Sequence, residues 1–188
     1  MLWHDTGILR CGSGLALEFL LGCVRVSLQS LQPALPALAC LITNQSTIMH
    51  TTLTIETPGQ GLHEITNQVH NAVGALLDRD TSARESSLCT LFIQHTSASL
   101  TIQENADPSA RYDLEAWLNR LVPERDALFT HTSEGPDDMP SHIKSALTAT
   151  SLSIPVIDGR LTLGTWQGVY LWEHRVRAHA RRVVVHVG

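Results

Sequence analysis

The last quarter of the chain runs through four strand-like segments, Ser151 to Val156, Arg160 to Leu163, Gly168 to Glu173 and Arg181 to Val187. The link Asp158-Gly159 is a hairpin signal, because an Asp-Gly pair supplies the positive φ angles of a tight primed turn. Strands that follow one another in this way, instead of alternating strictly with helices, predict an α+β fold with a mostly antiparallel sheet and a few helices.

The earlier part of the chain fits that frame. Polar and apolar residues alternate from Thr51 to Glu56 as in a half-buried strand, and Pro58, Gly59 and Gly61 are expected to break it before a helix. Ile65, Val69, Val73 and Leu76 recur at helical spacing, and two strands follow, Leu88 to Gln94 and Ser99 to Gln103. Asp107 and Pro108 read as the cap and first turn of a helix ending before Pro123, with Leu114, Trp117, Leu118 and Leu121 as its buried stripe. A short helix is expected from about Pro140 through Leu147.

At 188 residues, 43% hydrophobic and with a net charge of −5, the chain suits one globular domain and is no polycation seeking nucleic acid. Met1 to Ile48 holds only four charged side chains, and its apolar run from Leu15 to Val26 is too short and too interrupted to span a bilayer. It makes a poor signal peptide, since Asp5 precedes the first basic residue, Arg10. The expected organisation is therefore an extension over 1–48, disordered or preceding a true start at Met49, and a folded domain over 49–188. Cys11, Cys23, Cys40 and Cys89 form no CxxC pair, so neither a zinc ribbon nor a disulfide framework is indicated, and the domain suits a reducing cytoplasm.

Titratable groups concentrate in HTSEGPDDMPSHIK, from His131 to Lys144. Gly135, Pro136 and Pro140 make it a turning segment that could bring His131, Glu134, Asp138 and His142 to one point, and imidazole with carboxylate suits a borderline divalent cation such as zinc. An exposed acidic loop is the plainer alternative. His95 ends an apolar strand and is followed by the hydroxyls of Thr96 and Ser97, better placed to receive phosphate oxygens than to form a hydrolase triad, for which no nucleophile elbow exists. Lys144, expected in the first turn of the short helix, and Arg160 could neutralise a phosphoryl group. In GTWQGVYLWEH, Thr165 and Gln167 offer donors and Trp166 a flat face for a heteroaromatic ring. Trp172 reads as core, and Glu173 with His174 as a solvated strand end.

Three stretches, QHTSASLTIQENADP, HTSEGPDDMPSHIKSAL and VIDGRLTLGTWQGVYLWEH, together resemble the YjbQ-like family of secondary thiamine-phosphate synthases, from about Thr51 to the C-terminus. The resemblance implies a compact trimeric α+β fold with His95, His131, Glu134, Asp138 and His142 on a shared functional surface. It also implies an activity joining hydroxymethylpyrimidine diphosphate to thiazole phosphate with release of pyrophosphate. On that reading His95, His131 and His142 hold a divalent metal, zinc or magnesium, while Glu134, Asp138 and His95 act in catalysis. Thr96, Ser97, Lys144, Arg160, Thr165, Trp166 and Gln167 then bind a phosphorylated small molecule in a cytoplasmic homotrimer without nucleic-acid or membrane partners. The alternatives are a metal-dependent hydrolase of a phosphorylated small molecule and a non-catalytic trimeric ligand-binding protein.

Overall fold

The computed structural model describes residues 20–21, 24–25, 49–79 and 85–188. Its contacts divide the chain into two units, Met1–Ser46 and Thr47–Gly188. In the first, β1 (Leu20–Leu21) pairs antiparallel with β2 (Val24–Arg25). Cys11, Cys23, Cys40 and the remainder of the 1–48 extension lie outside the described residues.

The second unit contains β3 (Met49–Thr57), β4 (Gly61–Glu64), α1 (Thr66–Leu77), β5 (Ser86–Ile93), β6 (Ala98–Glu104), α2 (Pro108–Leu121), α3 (Asp138–Leu147), β7 (Ser151–Ile157), β8 (Arg160–Leu161), β9 (Gln167–Glu173) and β10 (His179–Val187). Five strands form one sheet in the order β3-β10-β5-β7-β8 and three form another, β4-β9-β6. Every pairing is antiparallel, as the succession of strands predicts. Asp158 and Gly159, with φ of 50° and 74°, make the expected tight turn between β7 and β8.

Alternation along the larger sheet turns Cys89, Leu91 and Ile93 of β5, Ile154 and Val156 of β7, and Val183, Val185 and Val187 of β10 inward. They meet Val69, Val73, Leu76 and Leu77 of α1 and the inner face of the small sheet, Ala98, Leu100, Val169 and Leu171. Each such Val or Leu contributes about 1.5–3 kcal/mol on leaving water. Burial among these side chains pushes the Cys89 thiol up to about 12. The strand β9 is buried on both sides, because Tyr170 and Trp172 on its other face pack with Leu62 and Leu118 beneath α2.

Three expectations need correction. Gly61 does not end a strand but starts β4. Its φ of 141°, which side chains rarely adopt, lets the backbone turn beside Glu115, whose Oε1 accepts the Leu62 amide at 2.7 Å and would crowd a β-carbon at 3.1 Å. The predicted stripe of α2 is buried only at Leu118, with Leu114 partly covered, while Trp117 and Leu121 are each 53% exposed. A three-stranded sheet is too narrow to cover the whole stripe. Among the described residues no helix is long and apolar enough to cross a membrane.

The two sheets are tied by a buried ion pair. Arg181 on β10 donates from Nε to Glu173 Oε2 at 2.7 Å and from Nη2 to Oε1 at 2.6 Å, and Glu173, on β9, is fully buried. The Arg175 amide at 2.9 Å and the Thr57 hydroxyl at 2.8 Å complete its partners. Burial pushes the Glu173 carboxyl up, but these donors outweigh it and hold the group below the usual glutamate range. The expected solvated strand end is therefore a buried charge.

Replacing Arg181 by Met strands that charge and is expected to cost about 3–5 kcal/mol in urea unfolding. The double change Arg181→Met with Glu173→Leu should recover most of the loss. Because Glu173 titrates lower folded than unfolded, its contribution is complete above the unfolded pKa of about 4.3 and is lost as pH falls toward the folded value. Equal acid sensitivity of the wild type and the double variant would contradict this.

Candidate functional site

The helix α3 opens where the acidic loop closes. Gly135, at φ 113°, makes the turn, and Pro140 occupies the first turn of the helix, where its missing amide proton costs nothing. Asp138 and His142 stand four residues apart and so share one face of α3. His131 reaches the same face from the loop. Its Nε2 lies 2.8 Å from Asp138 Oδ2, and His142 Nε2 lies 3.6 Å from the same oxygen. The imidazole centroids are 5.6 Å apart, and one donor atom from each of the three residues falls within 4.8 Å of the others.

Protonation and orientation are set by the surroundings. His142 Nδ1 lies 3.0 Å from the Thr96 carbonyl, an acceptor only, so Nδ1 carries a proton and, in the neutral ring, the lone pair is left on Nε2, the nitrogen facing Asp138. Asp138 is 1% exposed, and its Oδ1 accepts from Arg175 Nη1. No hydrogen bond reaches Oδ2, despite the proximity of His131. Three candidate ligand atoms thus lie around one partly open point, where His131 keeps 46% of its side chain exposed. Those are the ligand types and number found around catalytic divalent cations.

Arg175 holds the carboxylates in place. Its Nε donates to Asp137 Oδ2 at 3.0 Å and its Nη2 to the Glu134 carbonyl at 2.9 Å, while the Val176 amide also reaches Asp137 Oδ2 at 3.0 Å. Burial pushes the Asp137 carboxyl up, and the Val176 amide and Arg175 guanidinium more than reverse it. The Glu134 side chain stays 67% exposed, its carboxylate 4.0 Å from Arg175 and outside the three-residue group.

His95 does not join the group within one chain. Its Nε2 accepts the Arg182 amide at 2.8 Å and Nδ1 lies 3.4 Å from the Arg181 guanidinium. Burial and then the charge of Arg181 lower its pKa, so the ring stays neutral. With Thr96, Ser97 and Thr150 it lines a cavity of about 470 Å³. Lys144 is in the last turn of α3, not the first, and is 2% exposed, donating to Asn119 Oδ1 at 2.6 Å. Burial lowers its pKa.

Arg160, Thr165, Trp166 and Gln167 sit at the other end of the sheets. Gln167 pairs with Glu104 and Glu173 with Ala98, so the length of β9, about 20 Å at 3.3 Å per residue, separates Gln167 from the Ser97 end. Arg160 pairs with Ile157 beside Ser86, at the opposite end of β5 from Ile93 and His95. Gln167 Oε1 accepts the Gly164 amide at 2.8 Å, closing its own turn, and Trp166 is 65% exposed.

Sequence reasoning missed Arg175, the Thr96 carbonyl and a second cavity of about 460 Å³, which opens between Arg125, Phe129, His131 and Met139. It also missed buried His174, whose Nε2 lies 2.9 Å from Ser99 Oγ and whose pKa burial lowers to about 3. The available signal was position: Glu173, His174 and Arg175 follow directly on the unbroken core strand GVYLW.

The UPF0047 YjbQ-like family model matches residues 51–188. The UPF0047 protein of Synechocystis is 52% identical over 72% of this chain and 88% of its own length, and UPF0047 protein YjbQ of Escherichia coli O157:H7 is 44% identical over 71% and 92%. A conserved hypothetical protein of Thermus thermophilus superposes with a TM-score of 0.61 at 35% identity, covering 71% of this chain and 97% of that one. A YjbQ-like protein of unknown function from Sulfolobus solfataricus, at 19% identity and a TM-score of 0.63, covers 74% and 97% and shares the fold. From Thr51 to Gly188, the segment that carries both sheets and the His131–Asp138–His142 group, this chain belongs to the UPF0047 YjbQ-like family.

Proposed function

We propose that His131, Asp138 and His142 hold a divalent cation, with zinc suited better than magnesium to two imidazoles, and that the protein works on phosphorylated small molecules at this centre. The observation that carries the proposal is Asp138 Oδ2, a buried carboxylate oxygen without a hydrogen bond that faces two imidazole nitrogens, one of them with its lone pair oriented by Thr96.

The reaction proposed is thiamine-phosphate synthesis as a secondary activity. The carbon–oxygen bond of hydroxymethylpyrimidine diphosphate breaks with its electron pair leaving on pyrophosphate, and the thiazole nitrogen forms the new carbon–nitrogen bond. Bound at the three ligands, the cation would supply positive charge where the leaving group turns negative. The remaining work falls to this chain's residues. Thr96 and Ser97 present hydroxyls to phosphate oxygens, His95 stays neutral beside them, and Arg175 holds the Asp138 carboxylate in place. Glu134 is the exposed carboxylate free to exchange a proton with solvent.

A second reading, metal-dependent hydrolysis of a phosphorylated small molecule, draws on one observation: Trp166 and Gln167, the groups suited to a pyrimidine, stand at the far end of β9 from the three ligands. The proposal also includes a cytoplasmic homotrimer. Leu88, Phe92 and Ile157, exposed together on the outer face of the larger sheet, are the apolar surface that self-association would cover.

Elemental analysis of the full chain should find a stoichiometric divalent metal. Loss of one of the three ligands through His142→Ala should lower zinc affinity by at least about a hundredfold, and Arg175→Met by about 10–100-fold, since it only orients a ligand. Metal content unchanged in both variants would remove the cation from this site. Product analysis separates the reactions: pyrophosphate released only when thiazole phosphate is present supports transfer, and phosphate or pyrophosphate released with water alone supports hydrolysis.

A further inference from the structure

The cavity beside His131 joins part of the acidic loop to residues that the sequence did not single out, Arg125, Asp126, Phe129 and Met139. It is bounded by the turn after α2, at Arg125, Asp126 and Phe129, and by the loop and first turn of α3, at His131, Pro136 and Met139. At about 460 Å³ it has the size of a small-molecule site, open on one side to solvent.

Its walls differ in character. Phe129 and Met139 give the cavity an apolar side able to cover a flat ring. Arg125 is exposed and, among the described residues, makes no hydrogen bond or ion pair, so its guanidinium is available to an anion. It is held in the left-handed region at φ 60°, a conformation costly for a side chain of this kind. Asp126 enforces the turn: its Oδ1 accepts the Leu128 amide at 2.9 Å and its carbonyl the Phe129 amide at 3.1 Å. One oxygen of that carboxylate is therefore engaged with the backbone, and Arg125 and Phe129 are presented from the same turn.

We infer that this cavity is the binding site for a phosphate monoester carried on a planar ring, with the ring against Phe129 and Met139 and the phosphate shared between Arg125 and the His131 side of the cation centre. A phosphate is favoured over a carboxylate because three terminal oxygens can reach two separate receptors at once. The assignment rests on the cation reading for one of its two anion receptors and on Arg125 for the other. It differs from the cavity at His95, Thr96 and Ser97, so a two-substrate reaction has two separate seats.

The test uses the full chain, zinc-loaded and metal-free, titrated calorimetrically with phenyl phosphate, inorganic phosphate and benzoate. Arg125→Gly removes the guanidinium while suiting the positive φ, and Phe129→Leu keeps an apolar side chain while removing the ring. The expected result is that Arg125→Gly weakens phenyl phosphate and inorganic phosphate alike by about tenfold, whereas Phe129→Leu weakens phenyl phosphate several-fold and leaves inorganic phosphate unchanged. Zinc content should not move in either variant, and benzoate should bind more weakly than phenyl phosphate. Phenyl phosphate that fails to bind in either form, or binds with a constant neither variant alters, overturns the assignment, and benzoate binding more tightly overturns the choice of phosphate. If zinc is not taken up but phenyl phosphate still depends on Arg125 and Phe129, the cavity assignment stands and the cation reading falls. If zinc binds and phenyl phosphate ignores both variants, the reverse holds.

Discussion

The paired contact of Arg181 with Glu173 fixes the relation of the two sheets, and the candidate site depends on that relation. Arg181 lies on the inward register of β10, where Val183, Val185 and Val187 continue the same row, so its charge has nowhere to go but toward β9. Glu173, the last residue of β9, answers it with both oxygens. Two buried charges gain little over a well-packed apolar pair in stability alone. They gain direction, because bidentate geometry admits a single arrangement of the two strand ends.

The consequence passes to the next residue but one. The Arg175 amide donates to Glu173 Oε1 and its guanidinium spans Asp137, Asp138 and the Glu134 carbonyl. One side chain thus ties the acidic loop and the start of α3 to the end of β9. The Thr96 carbonyl does the same for His142 from the β5–β6 connection. The group is anchored from the sheets as well as by its own loop and helix, which is why a segment rich in turn residues can hold two imidazoles and a carboxylate in register.

Local patterns were readable and long-range ones were not. The alternation of β3, the cap at Asp107 and the turn at Asp158-Gly159 each depend on neighbours within a few residues, and each stands where the sequence places it. The same holds for His131, Asp138 and His142, which a single loop and one helical turn bring together. Failures occurred where the deciding partner is distant in sequence. Gly61 reads as a breaker until Glu115 is seen to bind the next amide, and Lys144 reads as a phosphate receptor in the first turn of its helix until it is found buried in the last turn against Asn119. Arg160 and Trp166 resemble phosphate and ring receptors by type, but the lengths of β5 and β9 put them at the other end of the fold.

Charge balance governs whether a site so rich in acids could receive an anion. Glu134, Asp137 and Asp138 bring three carboxylates within 4.0 Å of Arg175, whose guanidinium offsets one of them. The proposed divalent cation at the three ligands would offset the remaining two, in a setting where the Asp138 side chain is shielded from water and screening is weak. A site so neutralised would no longer repel an anion, and the hydroxyls of Thr96 and Ser97 in one cavity and Arg125 in the other are the groups proposed to receive its oxygens. Without the cation the uncompensated carboxylates would weaken the binding of a phosphorylated ligand. On the proposed reading metal and anion would therefore be coupled, each offsetting charge that opposes the other's binding.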